Sequence, residues 1–352
     1  MQEARFYEKV EEGKVQCHLC AHECKIDPGK RGLCHVRENQ EGSLYTLVYG
    51  MVVAENIDPI EKKPLFHFLP GSRSYSIATA GCNFMCLHCQ NYDISEYPRR
   101  HHGKIPGTKR TPEDIVREAK ANRCATISYT YTEPTIYFEM AYDTTKLAHD
   151  EGLLNIFVTN GYMTPKAIEM IQPYLNAANV DLKAFQNESY KTCCNAKLEP
   201  VKETLKQMKA AGIWVEITTL IIPGLNDNPS ELRAIAEFII AELGPETPWH
   251  VSRFHPTYRM TDRNATPVST ILNARQIGLE TGLKFVYSGN VAGHGGEETL
   301  CPQCGQTVIG RQGFRLTEKH IKNGACNRCG THIAGIGISL EYRCQLLAKK
   351  LR

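Results

Sequence analysis

The chain has 352 residues, 42% of them hydrophobic, enough for one large α/β domain with smaller additions. Its formal net charge of +3 excludes the strongly basic surface of a nucleic-acid or membrane binder. No apolar run approaches the ~18 residues of a membrane span. The opening Met1-Gln2-Glu3-Ala4-Arg5 lacks the apolar core of a signal peptide, so a cytoplasmic protein is expected.

In chain order, residues 1–70 read as a cysteine-rich section with a strand over Leu44–Val53. From 71 to 295, apolar strands at 75–80, 124–131, 154–159, 177–183, 214–222, 249–255 and 284–289 alternate with helices. The helices fall near 111–122, 135–150, 164–172, 200–211, 230–242 and 270–281. Thr111-Pro112-Glu113-Asp114 and Pro229-Ser230-Glu231 are helix starts, and Gly152, Gly212 and Gly282 are helix stops. This alternation predicts a parallel sheet with helical crossovers. Residues 296–352 form a cysteine-bearing tail with a closing helix over Leu340–Leu351.

Fifteen cysteines are present, eleven of them in three tight groups, which in a reducing compartment favours metal over disulfides. Of the others, Cys124 and Cys344 read as core, and Cys193-Cys194 as a pair in a polar loop. The middle group, Cys82-x3-Cys86-x2-Cys89, directly follows the first apolar strand and has no fourth cysteine nearby. A [4Fe–4S] cube has four irons, normally with one thiolate each, so three thiolates leave one iron open to a small molecule. A closed structural zinc site would want a fourth protein ligand. The tail pairs, Cys301/Cys304 and Cys326/Cys329, are Cys-x2-Cys-Gly knuckles and read as a zinc ribbon. Cys17, Cys20, Cys24 and Cys34 could close either zinc or a cluster; knuckle spacing leans toward zinc.

Chemistry in a parallel βα barrel collects at the C-terminal strand ends. Here those ends carry Ser128 to Thr135, Thr159-Asn160, Asp181-Leu182-Lys183, Asn226-Asp227, Arg253-Phe254-His255 and Ser288-Gly289-Asn290. Hydroxyls, an amide, a cation and a carboxylate on one face suit a zwitterionic, ribose-bearing ligand. Taken singly, Lys183 could pair with Asp181, His255 could be a core histidine, and Glu133 before Pro134 could end a strand.

The three-cysteine motif resembles the signature of the radical S-adenosylmethionine (SAM) superfamily, in the branch of pyruvate formate-lyase activating enzymes. The motif is followed by Gln90-Asn91-Tyr92-Asp93-Ile94-Ser95. With Tyr129 to Thr135, Asp58 to Leu65 and Arg253 to Pro256, these strings are similar to the AmmeMemoRadiSam family. The resemblance implies a partial parallel (β/α) barrel of the radical SAM type, flanked by the N-terminal cysteine-rich section and the zinc-ribbon-like tail. It implies a [4Fe–4S] cluster on Cys82, Cys86 and Cys89 that cleaves SAM to a 5′-deoxyadenosyl radical. Cofactor contacts are implied for Glu133 with Thr130 and Thr132, where relatives carry a Gly-Gly-Glu run. They are also implied for Asn160 and His255 at the ribose, Lys183 at the carboxylate and His88 by the adenine. Implied partners are a flavodoxin- or ferredoxin-type electron donor and Memo-type or AMMECR-type proteins. Activating enzymes of this branch instead act on a glycine of a partner protein. A non-catalytic metal-binding module and a SAM-independent electron carrier are the competing readings.

Overall fold

The computed structural model describes residues 1–291 and 293–338. The seven strands expected from the alternating pattern form in chain order as Arg73–Thr79, Thr126–Tyr129, Leu154–Thr159, Ala177–Asp181, Trp214–Ile221, Trp249–Arg253 and Val286–Gly289. Each pairs in parallel with the next. Ile77, Tyr129 and Phe157 stand in one register across three of them, so the loops that follow leave from one edge. The sheet does not close: Val286–Gly289 forms one border, and Met51–Pro59 runs antiparallel beyond the first parallel strand. The result is the expected α/β partial barrel.

Local sequence explains the crossovers. Thr111 caps Pro112–Ala121 by accepting the Asp114 N–H, while the Asp114 carboxylate accepts the Thr111 N–H. Asn228 caps Pro229–Phe238 through the Ser230 N–H. Gly282, at φ +118°, ends the Val268–Thr281 helix in a conformation that a side chain would strain. The strands are buried on both faces, as parallel strands under helices must be: Ile127, Ile156, Phe157, Val180, Ile217 and Val251 are all fully enclosed.

Three sequence expectations are corrected. The single strand over Leu44–Val53 is two strands, Ser43–Thr46 and Met51–Pro59, broken at Gly50. There φ is +74° and a Cβ would meet the Arg110 carbonyl oxygen at 2.8 Å. Residues 51–59, assigned by sequence to the N-terminal section, therefore belong to the main sheet. Cys193-Cys194 is not a polar loop but the buried last turn of a helix, Asn187–Cys194, ended by Asn195 at φ +54°.

The N-terminal section forms two small antiparallel sheets. It is fastened to the barrel by Arg37, whose buried guanidinium pairs with Glu139 and donates to the Arg5 carbonyl at 2.9 Å. The tail folds as a three-stranded sheet, Thr299–Leu300, Thr307–Gln312 and Arg315–Lys319, and a two-stranded one. It is clamped to residues 66–69 by Arg311, His67 and the Ile336 backbone. Cys344 and the expected closing helix lie outside the described residues.

Candidate active site

The loop after Arg73–Thr79 carries the cysteine trio and is held from both sides. Gly81 sits at φ +101°, and a Cβ there would lie 2.6 Å from Val36 and 3.2 Å from the Cys34 carbonyl oxygen. Arg99 donates to the carbonyls of Cys82 at 2.8 Å and Phe84 at 3.2 Å. The Met85 and Leu87 N–H groups donate to the carbonyls of Cys194 and Cys193 at 3.0 and 2.9 Å. The end of the Asn187–Cys194 helix thus fixes the loop through its unpaired carbonyls.

Cys82, Cys86 and Cys89 all line one cavity of about 560 Å³, in the range of cofactor sites. The same cavity is lined by His88, Thr130, Thr132, Glu133, Asn160 and Lys183, six of the seven cofactor contacts expected from sequence. His255 is not among the lining residues and is exposed, because the strand stops at Arg253 and the chain turns outward. Ser252 and Asn290 line that side of the cavity instead. Arg253 turns away to donate to the Thr266 carbonyl at 2.7 Å, and Tyr129 is buried behind the site against Asn155.

The polar wall is internally organised. The Glu133 carboxylate, 1% exposed, accepts from the Thr135 N–H and hydroxyl, the Thr159 hydroxyl and the Asn160 N–H. Burial raises its pKa while these donors pull it back. The Asn160 amide donates to the Asn83 side chain at 2.7 Å, which joins this wall to the cysteine loop. Burial lowers the Lys183 pKa, but Asp181 at 2.8 Å, together with Cys86 and Cys194, raises it well above the ordinary value, so the ammonium stays charged at the cavity face. His88 is pushed down to about 3 by burial and is neutral; its Nδ1 is enclosed without a partner.

Sequence reasoning missed several lining groups. Lys62, Lys63 and Pro64 enter from the segment before the first parallel strand. Lys63 is lowered to about 8 by burial, against its 2.5 Å contact with Asp58, and its Nζ sits 4.5 Å over the Tyr131 ring. The Tyr131 hydroxyl donates to the same Asp58 carboxylate at 2.5 Å. Phe314, 52% exposed at the tip of the tail hairpin, reaches the cavity mouth, about 230 positions from the cysteine trio in sequence. Cys194 lies beside the trio: its Sγ, the Cys86 Sγ and a His88 ring nitrogen fall within 4.8 Å of one another.

The tail cysteine group is more compact than the other two. In the tail, all four ligand atoms lie within 4.8 Å, with Cys301–Cys329 at 3.5 Å and Cys304–Cys326 at 3.7 Å. A tetrahedral site with ~2.3 Å zinc–sulfur bonds has thiolates about 3.8 Å apart, so the tail fits a single ion. Among the described residues, neither the trio nor the N-terminal group closes to such a set. The trio therefore fits a polynuclear cluster at the cavity wall better than a lone ion.

Comparison with known proteins agrees with this geometry. The radical SAM superfamily profile matches residues 76–239. An uncharacterized protein of Methanocaldococcus jannaschii is 48% identical over 335 residues, covering 95% of this chain and 99% of that protein. Another M. jannaschii protein, named "putative glycyl-radical enzyme activating enzyme", is 24% identical over 59% of this chain and 78% of its own length. Among solved structures, Streptococcus suis SuiB bound to precursor peptide SuiA has a similar fold. It shows 12% identity and a TM-score of 0.50 over 66% of this chain and 52% of that one.

Proposed function

Since the chain belongs to the radical SAM superfamily of enzymes, we propose that Cys82, Cys86 and Cys89 hold a [4Fe–4S] cluster with one iron left for SAM. The observation that carries this is the convergence of the three thiols with His88, Asn160 and Lys183 on one cavity. When bound together, the cluster and SAM supply one-electron cleavage to methionine and a 5′-deoxyadenosyl radical that takes a hydrogen atom from the substrate.

The chain's own residues then bind and orient. The Lys183 ammonium, kept charged by Asp181, pairs with the SAM carboxylate. The neutral His88 ring lines the adenine side without bringing a charge into the wall. Thr130 and Thr132 supply the floor beside the cysteine loop, with Thr132 anchored by donating to the Thr79 carbonyl at 2.8 Å. Glu133 acts by holding Thr159 and Asn160 in place, since its oxygens already take four protein donors. Ser252 and Asn290 take the ribose-side position that sequence assigned to His255.

The relative named as an activating enzyme supports a protein glycine as hydrogen donor; the one-electron reductant this needs would be of flavodoxin or ferredoxin type. Linkage to Memo-type and AMMECR-type proteins, with an unidentified substrate, is the alternative to a glycyl-radical partner. A glycyl radical appears as a doublet in electron paramagnetic resonance (EPR); a small-molecule substrate gives none. The tail cysteines hold a structural zinc ion, closed by four thiolates.

The test is anaerobic reconstitution with iron, sulfide, reductant and SAM. Wild-type protein is expected to release 5′-deoxyadenosine and Cys86→Ala to release none. Equal release by both, or none from cluster-loaded wild type, overturns the assignment.

A further inference from the structure

The first four cysteines form a site of their own. Cys17 closes the Val15–Cys17 strand, Cys20 and Cys24 lie on the turn that follows, and Cys34 precedes the Arg37–Gln40 strand. All four line one small enclosed cavity together with Arg37 and Asn83. Two four-cysteine groups in one chain thus have two different sizes. The tail group is drawn in to the dimensions of a tetrahedral ion. The N-terminal group stands back around a hollow, and no three of its sulfur atoms come within 4.8 Å of one another among the described residues. A metal–sulfide core, which puts several atoms between its thiolates, suits the second arrangement.

Two further observations agree. Arg37, 1% exposed, places Nη1 3.8 Å from the Cys17 Sγ, and its Nε has no protein partner. Such a donor set suits a cluster, whose sulfurs accept hydrogen bonds. The site is also fastened to the catalytic loop. Arg99 donates to the carbonyls of both Leu33 and Cys82, at 2.5 and 2.8 Å, and Asn83 lines the N-terminal cavity from beside Cys82.

We infer that Cys17, Cys20, Cys24 and Cys34 hold a second four-iron cluster, adjoining the first, in place of the zinc ion that the knuckle spacing suggested. The inference rests on the size of this site and not on the reading of the trio.

The experiment counts metal in the full chain after anaerobic reconstitution with ferrous iron and sulfide. Wild type is expected to hold about eight irons and about eight acid-labile sulfides, with zinc confined to the tail. Cys17→Ala/Cys34→Ala is expected to lower both to about four and keep the SAM-sensitive EPR signal. Cys82→Ala/Cys86→Ala/Cys89→Ala is expected to keep about four of each, with a reduced-cluster signal that SAM does not alter. Wild type with about four irons, all lost with the trio, and a second zinc overturns the inference. Iron that survives loss of the trio while wild type cleaves no SAM would sink the catalytic reading and leave this one standing.

Discussion

Glu133 and Asn160 are 27 positions apart, yet the Glu133 carboxylate accepts the Asn160 backbone N–H at 2.8 Å. Asn160 in turn donates through its side chain to Asn83, next to Cys82. The ends of two parallel strands are therefore tied to the cysteine loop by one chain of hydrogen bonds. Glu133→Gln replaces an acceptor oxygen by an N–H₂ group among four donors. It should cost about 1–3 kcal/mol of stability, the penalty of unsatisfied buried groups, and weaken SAM binding. Denaturant midpoints and SAM titration measure the two effects. A variant as stable as wild type would show that this chain carries no load.

Cys194 approaches Cys86 closely enough to suggest a fourth ligand. The loop, however, is already held by the carbonyls of Cys193 and Cys194, and the Cys194 thiol adds only a side-chain hydrogen bond to Cys86. Cys194→Ala should keep the wild-type iron content and 5′-deoxyadenosine release, with stability lowered by about 1 kcal/mol for the lost buried atom. Iron analysis decides: loss of the trio's cluster in this variant would make Cys194 a ligand.

Phe314 is an exposed aromatic residue that the tail hairpin carries to the cavity mouth. The hairpin is set by the buried Arg311, which donates to the Phe66 and Glu297 carbonyls and to the Thr299 hydroxyl. Phe314→Ala removes surface area at the opening and little packing, so stability should change by no more than about 0.5 kcal/mol. The rate at which an iron chelator bleaches the cluster should rise several-fold. Unchanged bleaching would place the hairpin outside the route to the cavity.

The strands, their order and most crossovers were legible because each is written locally: an apolar run, a Thr111-Pro112 or Asn228-Pro229 start, a Gly282 stop. The cysteine trio was legible because its spacing states its chemistry. What escaped depends on tertiary contact. Ser252 and His255 differ by three positions, and only the end of the strand at Arg253 decides which one faces the cavity. Cys193-Cys194 has polar neighbours, but Tyr190 and Ser189 bury one face of the segment and make it a helix end. Asp58, Lys63 and Tyr131 meet only after Met51–Pro59 pairs with the first parallel strand. Phe314 comes from another sheet altogether.

His67 provides a pH dependence at the joint between barrel and tail. Its ring is fully buried, with Nδ1 bonded to the Ala334 carbonyl at 2.6 Å and Nε2 to the Tyr287 hydroxyl at 2.5 Å. Burial takes its pKa from the ordinary 6.5 down to about 4; Glu216 opposes the shift, while Arg311 and His250 add to it. Above pH 6.5 the ring is neutral both folded and unfolded, and its contribution is fully present. As pH falls from there toward 4, the unfolded chain takes a proton that the folded chain refuses, so stability is lost across that window. The loss from this group alone is about 3 kcal/mol and levels off below the folded value. In His67→Gln, which keeps a donor and an acceptor but cannot titrate, the denaturant midpoint should fall less steeply over the same window. The two proteins converge at the acid end if the ring is the cause; parallel curves would assign the acid sensitivity to the neighbouring carboxylates instead.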